Sequence, residues 1–356
     1  MTLFAIMAAW PARAGVSVVD DAGRVVELST PASRVVLTDG MGFLALALLD
    51  PHPEKLLAGW NRARMDGDML TALRSAMPAI ESVPDIGEPS VNGASLEKLI
   101  ALEPDLIILD PFYSSATAIQ TLTNADIPVA VLALTPSVRD DDMMTGLKRL
   151  AVLLGRQPRA EEFSELVQSR LSRIRNRLVD IGEKARPPVL FEAHASAESC
   201  CISTGNGRGI GDFVGLAGGF NIGAAVIPGM AGPLSLEYII GSQPQVYIGT
   251  GGSYMAGRGG LVVGPSVNEQ QARASLHAVL SRKGLASIPA VESKRAYGLS
   301  HGLAISVVNI VAIEAIAKWV HPELFRDVDP QATLDEIGKQ FLPASLAGTW
   351  WVEAGP

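Results

Sequence analysis

The chain is short of the residues on which catalysis and metal caging most often depend. It holds two cysteines and five histidines in 356 residues, and the histidines stand scattered at 52, 194, 277, 301 and 321. No HExxH or spaced Cys-rich pattern occurs, so the sequence carries no motif for zinc-protease or zinc-ribbon chemistry. Positive charge is also scarce: 29 Lys and Arg against 37 Asp and Glu leave a net charge of -8, which argues against nucleic acid as a partner. Long apolar runs are missing. The nearest approach, Gly302 to Val320, carries Asn309, Glu314 and Lys318; it falls short of the ~20 uncharged residues of a spanning helix and reads as a buried helix.

The two cysteines are neighbours, Cys200 and Cys201, so they cannot close the long loop that staples a secreted domain. Two readings stand: a pair of thiols on a strand, or a strained vicinal disulfide in an oxidising compartment. The first residues favour such a compartment. Thr2 to Trp10 is uncharged and apolar, and Pro11-Ala12-Arg13-Ala14 follows, a small-x-small ending that reads as a secretory cleavage site after Ala14. A basic n-region is lacking, so the alternatives are a start inside a longer signal and a buried first segment. No cysteine follows the site to take a lipid.

Hydrophobic residues make up 48% of the chain, ample for a core, and the length exceeds what one core usually serves. Short β-rich runs alternate with helical ones, the pattern of an α/β protein with mostly parallel sheets. The expected strands are 35–38, 55–59, 106–109 and 129–134, then 189–192, 200–203, 246–249 and 296–299. Between the two sets lie helical stretches over 140–154 and 159–184. The second, 26 residues from Arg159 to Lys184, would reach about 39 Å. Phe163, Leu166, Val167, Leu171, Ile174 and Leu178 form its apolar stripe, while Arg170, Arg173, Arg175 and Arg177 read as a solvated face.

An internal repeat is the strongest signal. Ser95-Leu96-Glu97 through Pro104 to Ile108 recurs as Ser235-Leu236-Glu237 through Pro244 to Ile248, at an offset of 140 residues (237 minus 97). Each copy reads as a serine cap, an acid in the first turn, a short helix, a proline stop and a buried strand. Two similar lobes follow from that spacing, not an array of small repeats.

These pieces, with Asp21 to Leu28, Leu153-Leu154-Gly155-Arg156, Gly218 to Ile222 and Arg295 to Gly298, resemble the periplasmic binding proteins of ABC importers for ferric siderophores, haem and cobalamin. The resemblance implies the class III fold: two Rossmann-like α/β lobes joined by a single long helix. The divisions are then a signal over 1–14, an N-terminal lobe over 15–157, a linker helix over 158–185 and a C-terminal lobe over 186–356. It implies a periplasmic monomer, no resident cofactor, a small-molecule metal chelate as ligand, and an inner-membrane permease and ATPase as partners. Glu97 and Glu237 stand where the family places the glutamates that dock on that permease.

Open α/β sheets bind ligands beyond the carboxyl ends of their strands. That rule selects Trp60, Asn61, Arg62, Asp110, Phe112 and Tyr113 in the first half, and His194, Arg208, Tyr254, Arg258 and His301 in the second. Aromatic area, guanidinium, phenol and imidazole together suit a planar or anionic chelate. Trp60 reads as a cleft residue, His194 fits equally a ligand contact and a buried histidine, and His301 reads first as a residue at the N-terminus of the helix that follows it and second as a ligand contact. The run Gly205 to Gly211 reads as a strand-to-helix turn lining the cleft, without the context of a dinucleotide fingerprint. Ferric siderophore ranks first among ligands, haem or corrinoid second. Zinc or manganese binding would need clustered histidines, and a chelatase-like enzyme, which shares the two-lobed plan, would work inside the cell.

Overall fold

The computed structural model describes residues 15–62, 65, 67–87, 96–112, 114–343 and 345–355. The candidate signal segment 1–14 and Tyr113 lie outside them. Strands β1 (Val16–Val19) and β2 (Val25–Leu28) form a hairpin. A four-stranded parallel sheet follows, ordered β4-β3-β5-β6, from β3 (Val35–Leu37), β4 (Leu57–Trp60), β5 (Leu106–Leu109) and β6 (Val129–Val131). The second sheet has parallel strands β7 (Pro188–Glu192), β11 (Val246–Gly251) and β12 (Ala296–Ser300) at its centre. Around them lie β8 (Ile202–Thr204), β9 (Phe220–Asn221), β10 (Ala231–Pro233) and β13 (Trp351–Glu353). All eight strands expected from the sequence are present, with ends shifted in all but Leu106–Leu109; β1, β2, β9, β10 and β13 are additional.

Alternation along each central strand explains the layering. In β5, Leu106 and Ile108 enter the main core while Ile107 and Leu109 enter a second cluster on the other face. In β7 and β11, Val189, Phe191, Val246 and Ile248 enter the main core, and Leu190 and Tyr247 enter a separate cluster on the other face of their own sheet. Both faces of a parallel sheet are covered, so both sets are apolar. The main cluster runs without a break from β3 and the helix Phe43–Leu49 into β7, β11 and the helix Ile310–Val320. The two lobes therefore share one core.

The connecting helix spans Gln157–Arg177, 21 residues, and ends seven short of the expected Lys184. Phe163, Val167, Leu171 and Ile174 are buried on it. Three of its four arginines correct the sequence reading of a solvated face, while Arg175 is exposed as that reading expected. Arg170 pairs with Glu336, Arg173 with the fully buried Glu314, and Arg177 grips Asp327 through both nitrogens at 2.6 and 2.8 Å. The expected helix over Gly302 to Val320 is broken: His301–Ala304 makes one turn, and Ile310–Val320 resumes after Asn309, whose amide donates to the Pro136 carbonyl at 2.9 Å across the lobes. Similarly, the helix expected from Asp140 begins at Thr145, because the residues before it form an inter-lobe loop.

Candidate functional site

Three parallel strands of the second sheet end at the same edge. The backbone beyond β7, β11 and β12 carries His194, Tyr254 and His301, so the fold brings together side chains 60 and 107 residues apart (254 minus 194, 301 minus 194). His194 Nδ1 lies 2.6 Å from the Tyr254 hydroxyl, and the His194 and His301 rings approach to 4.1 Å between centroids. Thr250, fully buried, ties them down: its hydroxyl accepts from the His194 backbone N–H at 3.0 Å and meets His301 Nδ1 at 3.2 Å. His194 adopts a left-handed backbone, φ 51°, a conformation that costs a side-chain-bearing residue about 1–2 kcal/mol. Hydrogen bonds on both sides, Ala193 N–H to Ile202 and Ala195 N–H to Thr250, hold it there. Burial pushes the His194 pKa below its ordinary value, which leaves the ring neutral at pH 7 with a lone pair to give.

Beneath the strand ends lies a buried ion pair. Arg282 donates to both Glu192 oxygens, at 2.7 and 2.5 Å, and the Tyr247 hydroxyl donates to the same carboxylate at 2.6 Å. Burial works to lower the Arg282 pKa, and the Glu192 carboxylate overcomes it. Arg282 also donates to the Ser199 carbonyl at 2.7 Å, next to Cys200 and Cys201, which form a vicinal disulfide.

A cavity of about 370 Å³ opens over this edge, between the lobes. His194, Tyr254, Ser300, His301 and Trp350 form its C-terminal side; Met41, Leu44, Met65 and Met69 form the facing wall. That size falls in the range of small-molecule sites. Among the described residues, no three His, Cys, Asp or Glu side chains converge on a metal position.

Trp60 is a correction. It is the last residue of β4, not the first beyond it, and is fully buried against Phe43 with 5.2 Å between ring centroids. Asn61 is buried as well, where a Cβ on Gly40 would come 2.3 Å from its carbonyl oxygen. Arg62 lies over the Trp60 ring at 5.5 Å and donates to the Val83 carbonyl at 2.6 Å. Arg208 pairs with Asp140 of the other lobe, and neighbouring Arg139 pairs with Asp212 at 2.5 Å. The glycine run thus sits in an inter-lobe clasp, and Arg208 is not among the cavity's described lining. Arg258 is exposed at the end of the turn Ser253–Arg258, Phe112 is exposed, and Asp110 caps its own turn at 2.9 Å.

Sequence reasoning missed the methionine wall and Trp350. Met41 follows β3 and obeyed the strand-end rule; Met65 and Met69 stand four apart. Trp350 gave no signal, because it arrives through the antiparallel pairing of β13 with β12.

The repeat is reproduced in three dimensions. Helices Leu96–Ala101 and Leu236–Ser242 each lead through a left-handed residue, Glu103 at φ 47° and Gln243 at φ 46°, and a proline into the central strands β5 and β11. Glu237 is exposed in the first turn of its helix; the Glu97 side chain lies outside the described residues.

Two α/β lobes fused along one helix, with a ligand-sized cavity between them, define a solute-binding protein. The family model described as periplasmic binding protein matches residues 55–301, and the chain belongs to that family. Its members capture solutes for ABC transporters and are not enzymes. A solved TroA-like periplasmic binding protein, FepB from Veillonella parvula, is 26% identical with a TM-score of 0.86, covering 96% of this chain and 100% of its own. Two further structures share the fold. The molybdate-binding protein MolA of Haemophilus influenzae is 19% identical, TM-score 0.70, covering 93% and 99%; a periplasmic haem-binding protein from Pseudomonas aeruginosa is 21% identical, TM-score 0.57, covering 82% and 93%. No curated protein matches the chain.

Proposed function

We propose that the cleft captures a ferric chelate, of the siderophore kind, whose own donors leave two coordination positions open, and that His194 and Tyr254 fill them. The observation that carries this is the 2.6 Å separation of the His194 ring nitrogen and the Tyr254 oxygen. Adjacent corners of an octahedron with bonds of about 2.0 Å lie about 2.8 Å apart, so one metal ion can replace the hydrogen they share. Coordination requires the phenol to give up its proton. Two side chains do not cage a bare ion, so the remaining donors come with the ligand. Its organic part would rest on Met41, Leu44, Met65 and Met69, a wall that favours a ligand of low charge.

Haem is the second reading, favoured by that apolar, polarisable wall and by the availability of phenol and imidazole as axial ligands. In either case the protein is exported by its N-terminal segment, binds its ligand as a monomer, holds no resident cofactor, and hands the chelate to an inner-membrane permease and ATPase. Glu97 and Glu237 act as the docking carboxylates.

Titration of the purified protein with a ferric bis-catecholate, a ferric tris-catecholate and haem, read by quenching of Trp350 in the cavity wall, tests the choice. The bis-catecholate, with four donors, should bind at least tenfold tighter than the tris-catecholate, with six. Equal affinity for both would remove the protein-donor reading. Tight haem binding, with a Soret shift lost in Tyr254→Phe, would install the second.

A further inference from the structure

The repeat leaves a matched pair of exposed helix faces that ligand capture does not use. In the C-terminal lobe, the helix Leu236–Ser242 buries Ile239 and exposes Glu237, Ile240 and Gly241. In the N-terminal lobe, Leu96–Ala101 buries Leu99 and exposes Ile100 and Ala101, with Glu97 at the corresponding helical position. Ile240 is 40% exposed and Ile100 46%, and they stand 140 residues apart (240 minus 100), the offset of the repeat. A single exposed isoleucine would mean nothing. Here two occupy the same register of a repeat that differs elsewhere, Lys98 against Tyr238 and Leu102 against Ser242. Positions i, i+3 and i+4 share one side of a helix, so in each lobe an acidic, a branched apolar and a small residue occupy positions on one side of the repeat helix.

We infer that Ile100 and Ile240 are the apolar centres of twin docking faces for a permease built of two like halves, each half offering an apolar socket with a cation at its rim. The inference rests on the importer reading above and adds to the carboxylates a surface they do not provide. The acid fits the cation, the isoleucine fills the socket, and Ala101 or Gly241 lets the partner's backbone come close. A second copy of this chain is a poorer occupant, because like faces would set carboxylate against carboxylate.

Binding of the full-length protein to its permease–ATPase complex in lipid nanodiscs tests this. Ile100→Ala and Ile240→Ala should each weaken binding about tenfold, from lost apolar burial, and the double variant about a hundredfold, with melting temperature and bis-catecholate affinity unchanged. The salt dependence of binding should persist in the isoleucine variants and shrink in Glu97→Gln with Glu237→Gln. Loss of binding in the glutamate variants with wild-type binding in both isoleucine variants would overturn the inference while leaving the importer reading intact. Failure of the wild type to bind the complex would overturn both. A wild-type dimer in sedimentation that the double isoleucine variant dissolves would assign the faces to self-association instead.

Discussion

Thr250 and Glu192 show how few atoms hold the binding edge in register. Thr250 joins the His194 backbone to the His301 ring through one hydroxyl. Thr250→Val keeps the shape and removes that hydroxyl; it should weaken bis-catecholate binding several-fold, and Thr250→Ser should restore it, as titration of the two variants would show. Glu192 is held by Arg282 and Tyr247 in a site nearly closed to water. Removing one partner strands a buried charge, so Arg282→Met should cost about 3–5 kcal/mol in urea unfolding. A loss below about 1 kcal/mol would show that water reaches the carboxylate.

At the scale of elements, the connecting helix is a clamp as well as a spacer. Its arginines reach Glu314, Asp327 and Glu336, all in the C-terminal lobe. The two-pronged hydrogen bond from Arg177 pulls the Asp327 pKa from 3.8 down to about 2. A carboxylate whose pKa is depressed by folding contributes stability above its unfolded value and loses it as pH falls through the folded one. Stability from this pair is therefore complete above about pH 4 and disappears towards pH 2. Asp327→Asn should flatten the stability curve across that interval and lower it by a constant amount above about pH 4. An unaltered slope would mean that the exposed pair is fully screened.

The same helix shows what could be read from sequence. Its apolar stripe was legible because 3.6-residue spacing is a local property, and the eight principal strands were legible because runs such as Leu106 to Leu109 are apolar throughout. The role of the arginines was not, since a solvated face and a clamp have the same one-dimensional pattern; the partners lie 141 to 166 residues away. At the site, the strand-end rule found His194, Tyr254 and His301 because the parallel sheet turns three sequence positions into one place. It misplaced Trp60 by a single residue of strand length, and one residue reverses which face a side chain takes.

Taken whole, the molecule is built for small movements. The lobes share a continuous apolar cluster and are crossed by the Asn309 to Pro136 bond, the Thr135 hydroxyl to the Ile305 carbonyl at 2.6 Å, and the Arg139–Asp212 and Arg208–Asp140 pairs. Opening the cleft widely would expose the shared core. Small-angle scattering should therefore show nearly the same radius of gyration with and without bis-catecholate, and Asp140→Ala with Asp212→Ala should loosen it only slightly. A large compaction on binding would contradict the shared-core account.

The central claim is that protein side chains complete the ligand's iron coordination, and absorption titration of wild type against Tyr254→Phe with a ferric bis-catecholate tests it most directly. The account predicts that the ligand-to-iron charge-transfer band shifts on binding to the wild type, and that Tyr254→Phe loses that shift and at least tenfold in affinity. A bound spectrum and a dissociation constant that are the same in both proteins would contradict it.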